Sequence, residues 1–207
     1  MRIKDFDNII WDFDGVILDS DSIRRLGFVE ALDGYPKSEI DLLIEYHNQN
    51  GGLSRYHKFR YFFETIRCEL VDKQKIQELA RKFSLVMMEL LLDKRLLIKD
   101  AHSYIKLNSN KQKMHIASGS DQVELRNICS ELDLYDYFIS VNGSPTPKVE
   151  LVEAILRDHN YEKERTCLIG DSVNDLDAAH ANGIKFVGYN NPKLKPISDI
   201  YEDQLMK

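Results

Sequence analysis

Residues 8–20 read NIIWDFDGVILDS. The apolar run Ile9, Ile10, Trp11 has the composition of a buried strand, and it ends on two aspartates, Asp12 and Asp14, one residue apart. Carboxylates that close repel and raise each other's pKa, so the pair is costly without a cation or a proton between them. Gly15 follows directly and lets the chain turn sharply. A strand that delivers two acids to one small patch reads as a site, provided partners arrive from elsewhere in the chain.

Further β-type runs lie at Met114–Ala117, Phe138–Val141, Cys167–Ile169 and Lys185–Gly188. Helical spacing falls between them at Leu125, Ile128, Cys129, Leu132 and at Leu151, Val152, Ile155, Leu156. Gly183, after LDAAHAN, marks a helix end leading into the last run. Strands alternating with helices predict an α/β fold, a parallel sheet flanked by helices. The long stretch between the first two strands has almost no strand character. Ile23, Leu26, Val29, Leu32, then Phe59, Phe62, Phe63, Ile66, then Ile76, Leu79, Ala80, Phe83, Met87, Leu90 all keep helical spacing. This predicts a helical insert over residues 20–93 on a core made of residues 1–19 and 94–207.

Composition narrows the function. Lys plus Arg total 28 against 34 Asp plus Glu, a net charge of −6, and no basic block accumulates, so nucleic-acid binding has little electrostatic support. Uncharged stretches fall short of the roughly 20 residues a membrane span needs, and the start MRIKDFDNII, which meets two aspartates before any long apolar region, does not read as a signal peptide. Cys68, Cys129 and Cys167 lack CxxC spacing and read as buried thiols of a reducing compartment. The expectation is a soluble cytoplasmic protein with no membrane or nucleic-acid partner, a monomer or weak homodimer.

Three other pieces can meet the aspartate pair. IASGS (116–120) ends the second strand with Ser118 and Gly119; TPKVE places Lys148, the only lysine between Lys113 and Lys163, at a helix start; IGDSVND (169–175) brings Asp171 and Asp175. Loops at the carboxyl ends of parallel strands share one crevice. Carboxylates, a hydroxyl and an ammonium are the parts for holding Mg²⁺ and a phosphoryl group.

In this order the four pieces resemble the motifs of haloacid dehalogenase superfamily hydrolases, and the helical insert resembles their cap, as in the phosphoglycolate phosphatase and β-phosphoglucomutase-like branch. One departure is that the lysine motif often reads Lys-Pro-x-Pro, whereas SPTPK puts the lysine after the prolines. The resemblance implies a Rossmann-like core with a helical cap after the first strand, and a Mg²⁺-dependent phosphatase acting on a small phosphate ester. Asp12 would be the nucleophile and Asp14 the general acid and base. Ser118, the Gly119 N–H and Lys148 would hold phosphate. The metal would be held by Asp12, the Asp14 carbonyl and Asp171, with Asp175 orienting metal waters or Lys148. In the insert, NGGLSRYHKFRYFFE (50–64) resembles a specificity loop, with Arg55 and then Lys58 as the residues for the far end of a sugar phosphate or phosphorylated acid; the alternative, a basic outer helix face, applies to Arg55 and more strongly to His57, Lys58 and Arg60. A phosphomutase would use the same groups. A dehalogenase would not require GDSVND, the phosphonate-cleaving branch lacks an acid at the Asp14 position, and a silent binding protein would be expected to have lost Asp12 or Asp14.

Overall fold

The computed structural model describes residues 1–206. Six parallel strands form one sheet in the order β3-β2-β1-β4-β5-β6, with β1 Asn8–Trp11, β2 Lys113–Asp121, β3 Ser140–Ser144, β4 Thr166–Gly170, β5 Lys185–Tyr189 and β6 Ile200–Glu202. β1 is central. It runs Asn8 against Lys113 on one side and against Thr166 on the other, through to Trp11 against Ile116 and Ile169. All four of its residues are buried, which is why the run is continuously apolar where a half-exposed strand would alternate. Ile9 and Trp11 pack on one face with Tyr104, Ile105, Leu125 and Ile128, from α5 (Lys99–Asn108) and α6 (Gln122–Glu131). Ile10 packs on the other with Val152, Ile155 and Ala179, from α7 (Lys148–Asp158) and α8 (Val173–Ala181).

The chain leaves β1 toward β2 and β3 and later crosses back to β4, β5 and β6. The order therefore reverses at β1, and the crevice beyond its carboxyl end is the topological switch point. The aspartates Asp12 and Asp14 emerge there.

Between β1 and α5 stand α1 (Asp21–Ala31), α2 (Lys37–Gln49), α3 (Arg55–Tyr61), a π-turn (Phe62–Ile66) and α4 (Lys73–Leu90), which make the helical cap. Its interior is aromatic: Phe28, Phe59, Phe62, Phe63 and Phe83 are buried, and Phe28 and Phe83 have ring centroids 4.7 Å apart. Gly27 lets α1 lie against α4, since a Cβ there would fall 2.5 Å from Met87 Cε. The two connections to the core run side by side. Asp19 N donates to Leu96 O at 2.8 Å and Ile98 N to Ile17 O at 2.9 Å.

Several details differ from the sequence reading. The buried face of α1 is Arg24, Gly27, Phe28 and Ala31, not the stripe through Leu26 and Val29, both of which are 41% exposed. Two buried positions on that face, an arginine and a glycine, carry no hydrophobic signal, so periodicity selected the wrong stripe. β2 continues past Ala117 to Asp121 because a register shift lets Asp121 pair with Ser144. β6, three residues at the sheet edge, is too short to show a period. Cys129 and Cys167 are buried, but Cys68 is exposed; it follows the π-turn at a positive φ of 54°, outside the cap interior. No helix among the described residues is long and apolar enough to cross a membrane.

Phe62 makes edge-to-face contacts with Tyr35 and Phe63 and is fully buried. Phe62→Ala is expected to lower unfolding free energy by about 3–5 kcal/mol through lost burial and the remaining cavity. Denaturant titration measures it; a loss below about 1 kcal/mol would mean that the cap interior collapses to fill the space.

Candidate active site

Asp12 continues β1 by one residue, its N–H donating to Ile169 O at 2.9 Å. Its carboxylate is buried, and Oδ1 accepts from Lys148 Nζ at 2.7 Å. Lys148 is the first residue of α7, after Pro147, and its ammonium also pairs with Asp175 Oδ1. The lysine thus reaches Asp12 despite lying after the prolines. Asp175 is fully buried, and its other oxygen accepts from Ser172 N at 3.0 Å and Ser172 Oγ at 2.6 Å, the reciprocal cap that starts α8. Asp175 is both a helix-capping acid and the second partner of Lys148.

Asp171 enters from the end of β4. Gly15 is required at this point, with φ +77° and a built Cβ only 2.1 Å from Asp171 Oδ2. Asp12, Asp171 and Asp175 each place a carboxylate oxygen within 4.8 Å of one another. Burial, with the charge of Asp175 added, raises Asp12 to about 7 even with Lys148 beside it. Burial and the charges of Asp12 and Asp175 lift Asp171 well above the carboxylate range. Groups so strained by their own charge fit a divalent cation, which oxygen ligands of this kind hold.

Asp14 is differently placed. Its Oδ1 accepts from Ser20 Oγ at 2.5 Å and Arg24 Nε at 3.0 Å, and its Oδ2 from Ser120 Oγ at 2.5 Å. Burial alone would raise its pKa, but the Arg24 charge and the three hydrogen bonds outweigh it and hold Asp14 below the ordinary range. Two acids one residue apart therefore have opposite environments.

Ser118 is buried, and its Oγ accepts from Ser120 N at 3.1 Å. Gly119 allows the cap to come down on this loop, since a Cβ there would lie 2.4 Å from Gly52 O. The cap loop is built locally. Gly51 and Gly52 turn the chain, and Ser54 caps α3 by accepting from His57 N at 3.3 Å. The one-turn spacing then buries Arg55, Lys58 and Phe59 on one face and leaves His57 and Arg60 exposed. Arg55 and Lys58 line the cleft with Asp12, Asp14, Ser118 and Asp171. Arg55 is also tied to Ser84 Oγ at 2.7 Å and lies 2.7 Å from Glu124 Oε1, while Lys58 Nζ contacts His47 Nδ1 at 2.8 Å. Burial pulls Lys58 down to about 7.

The sequence reading did not single out Ser20, Arg24, His47, Ser120 or Glu124. Ser20 and Arg24 are one helical turn apart at the start of α1, so both sit over Asp14; that i, i+4 spacing is the one signal a sequence carries. Glu124 comes from α6, a hundred residues from its partner Arg24, and only the fold joins them.

A profile of the Haloacid dehalogenase-like hydrolase family matches residues 9–189, and the chain belongs to that family. Among solved structures it is similar to CbbY from Rhodobacter sphaeroides, a mutant in complex with xylulose-(1,5)bisphosphate, with a TM-score of 0.77, 15% identity, and coverage of 98% of this chain and 96% of that one. It is also similar to a predicted phosphoglycolate phosphatase from Haemophilus somnus (TM-score 0.76, 17% identity, 99% and 96% covered). A third is β-phosphoglucomutase from Clostridium difficile (TM-score 0.74, 17% identity, 97% and 92% covered). No curated protein sequence matches the chain at a significant level. At these identities the structural likeness establishes the fold, a parallel-sheet core with a helical cap.

The raised carboxylates make a thermodynamic prediction. In the unfolded chain these acids titrate near 4, so the metal-free fold loses stability as pH rises from there toward about 7, where Asp12 ionises. A cation relieves that cost only where the acids are ionised. Saturating Mg²⁺, at 100 times its Kd, is expected to add about 2.7 kcal/mol near neutrality and much less at about pH 5. Thermal melts with and without Mg²⁺ measure both shifts. Equal shifts at the two pH values would disconnect the metal from this cluster.

Proposed function

We propose that the chain is a Mg²⁺-dependent phosphatase that hydrolyses a small phosphate monoester through an aspartyl-phosphate. The observation that carries this is the contrast between two neighbouring acids: Asp12 against an ammonium and two carboxylates, Asp14 held by a guanidinium and two hydroxyls. Asp12 Oδ attacks phosphorus, and the bond from phosphorus to the alcohol oxygen breaks. Asp14, which Arg24 and three hydrogen bonds hold ionised in the resting site, must first take up a proton from solvent, and it gives that proton to the departing alcohol. It then takes one from the water that attacks phosphorus, and Asp12 leaves as a free carboxylate. Lys148 is placed to hold a phosphoryl oxygen while still touching Asp12, and Asp175 fixes where its ammonium sits. Ser118 and the Gly119 N–H take other phosphoryl oxygens. The Asp12 and Asp171 side chains, with the Asp14 carbonyl, would hold Mg²⁺, which supplies positive charge against the repulsion between nucleophile and phosphate.

Arg55 and Lys58 take the part of the substrate remote from phosphorus. Their burial in the cleft supports this over an outer-face role, and Arg55 additionally straps the cap to the core through Glu124. A polar, cationic roof suits a sugar phosphate or a phosphorylated acid. The phosphomutase reading uses the same groups and is favoured by one feature, the cap loop lying directly on Gly119, which keeps bulk water from the intermediate. Release of inorganic phosphate, compared with transfer to a second hydroxyl, separates the two.

Asp12→Asn is expected to abolish phosphate release, with a folded protein by circular dichroism; turnover at the wild-type rate would remove the nucleophile from the mechanism. EDTA should stop the wild-type reaction and Mg²⁺ restore it. Asp14→Asn should cost alkyl phosphates about 10²–10⁴-fold, but p-nitrophenyl phosphate far less, because nitrophenolate leaves without a proton. Equal losses on both would make Asp14 structural.

A further inference from the structure

Arg24 uses its guanidinium in three directions. Nε donates to Asp14 Oδ1 at 3.0 Å, Nη1 donates to Glu124 Oε1 at 2.5 Å, and Nη2 has no hydrogen-bond partner. The residue is 6% exposed and lines the cleft. Nothing about this nitrogen is isolated. Among the described residues six buried side-chain polar atoms lack a hydrogen-bond partner; four of them belong to Arg24, His47 and Arg55, which line the cleft from the cap, and to Glu124, which meets both arginines from α6 of the core. Arg55 Nη2 lies 2.7 Å from the same Glu124 oxygen without hydrogen-bond alignment, and both arginines rest over the Phe83 ring, at 4.4 Å for Arg55 and 6.0 Å for Arg24. Native interiors leave few such groups unpaired, and clusters of them mark places where a ligand supplies the partner. Glu124 Oε2, the acceptor among the four, belongs to a residue outside the cleft lining, whereas Arg24 and Arg55 line the cleft, so a ligand reaching their free Nη2 donors from the cleft supplies an acceptor, and a carboxylate matches the guanidinium fork.

Position sets its chemistry. On the planar fork Nε and Nη2 share one edge, so an acceptor on Nη2 lies beside the Asp14 carboxylate that Nε already holds. In the phosphatase reading, on which this inference rests, Asp14 touches the leaving oxygen. We propose that Arg24 is a specificity-determining residue that binds a carboxylate carried by the substrate close to its ester oxygen, and that the preferred substrates are therefore short-chain phosphorylated carboxylic acids. Arg55 Nη2 is the second donor to that carboxylate. Glu124 is a positioning residue, since it touches no substrate and holds both guanidiniums from the core side. The same arginine that reads the carboxylate orients the acid and base, so recognition and proton transfer share one side chain.

The test is a ratio on matched substrates. Phosphoglycolate and ethyl phosphate differ at the position Arg24 would read, and p-nitrophenyl phosphate reports the phosphatase chemistry itself. Wild-type protein with saturating Mg²⁺ is expected to show kcat/KM about 10- to 100-fold higher for phosphoglycolate than for ethyl phosphate, the range of a charge-assisted contact. Arg24→Lys keeps a cation but loses the fork, and Arg24→Met loses both. Each is expected to lower activity through Asp14 on both alkyl substrates, and far less on p-nitrophenyl phosphate, and also to bring the ratio toward unity, more fully for Met, with KM for phosphoglycolate rising most. Arg24→Lys keeps the result readable if Arg24→Met does not fold. A wild-type ratio near unity overturns the inference and leaves the phosphatase reading standing if p-nitrophenyl phosphate is hydrolysed. Parallel losses that preserve the ratio in the variants also overturn it, leaving Arg24 only as a support for Asp14. No hydrolysis of any of the three by the wild type overturns both.

Discussion

The active end of this sheet depends on a single ammonium. Four carboxylates, those of Asp12, Asp14, Asp171 and Asp175, converge on one crevice, and burial with the neighbouring charges makes Asp12 and Asp171 resist ionising. Lys148 sits between Asp12 and Asp175 with all three side chains buried. Removing it would leave two buried acids facing each other with no compensating charge, a costlier defect than the loss of any one contact. The start of α7 is an unfavourable place for a cation because the helix dipole is positive there. The lysine stays because the local field of the aspartates outweighs the dipole, and its own pKa is driven upward by them despite burial. Charge balance among strand ends, more than any feature of the strands, explains why the crevice has this composition.

Cap and core are joined by the same logic applied to opposite signs. On the cap side the excess is cationic, with Arg24 and Arg55 buried, and the core answers with Glu124 from α6. Tyr56 adds a neutral tie to Asp121, the residue that caps α6, at 2.7 Å. The interface is therefore polar where it covers the site and aromatic behind it. A charged seam can separate and hydrate more readily than an apolar one, and a cap that admits substrate needs that property.

Much of this was legible along the chain because the motifs sit at strand ends, where sequence and position are tightly linked. The run Ile9–Trp11 could only be a strand buried on both faces, and its two acids with Gly15 could only be a turn at its carboxyl end. Lys148, Ser118 and Asp171 were found as single residues with chemical meaning at such ends. Arg24 and Glu124 were hidden for the opposite reason. Charged residues inside helices normally face solvent, and their burial here comes from pairing across a hundred residues, which no local pattern encodes. The misassigned stripe of α1 has the same cause, because the buried arginine displaced the apolar face from where hydropathy alone would put it.

The antiparallel pairing of residues 17–19 with 96–98 has a consequence for the history of such a chain. The insert leaves the core and rejoins it at neighbouring points, so its ends are already closed by the core's own hydrogen bonds. To the core, everything between them is a loop whose closure cost grows only with the logarithm of its length. A larger, smaller or differently folded cap could be exchanged at this junction without altering the path of the six strands. The sheet and the helical insert are thus distinct stretches of one polypeptide, and the junction where they meet is a pair of short extended segments.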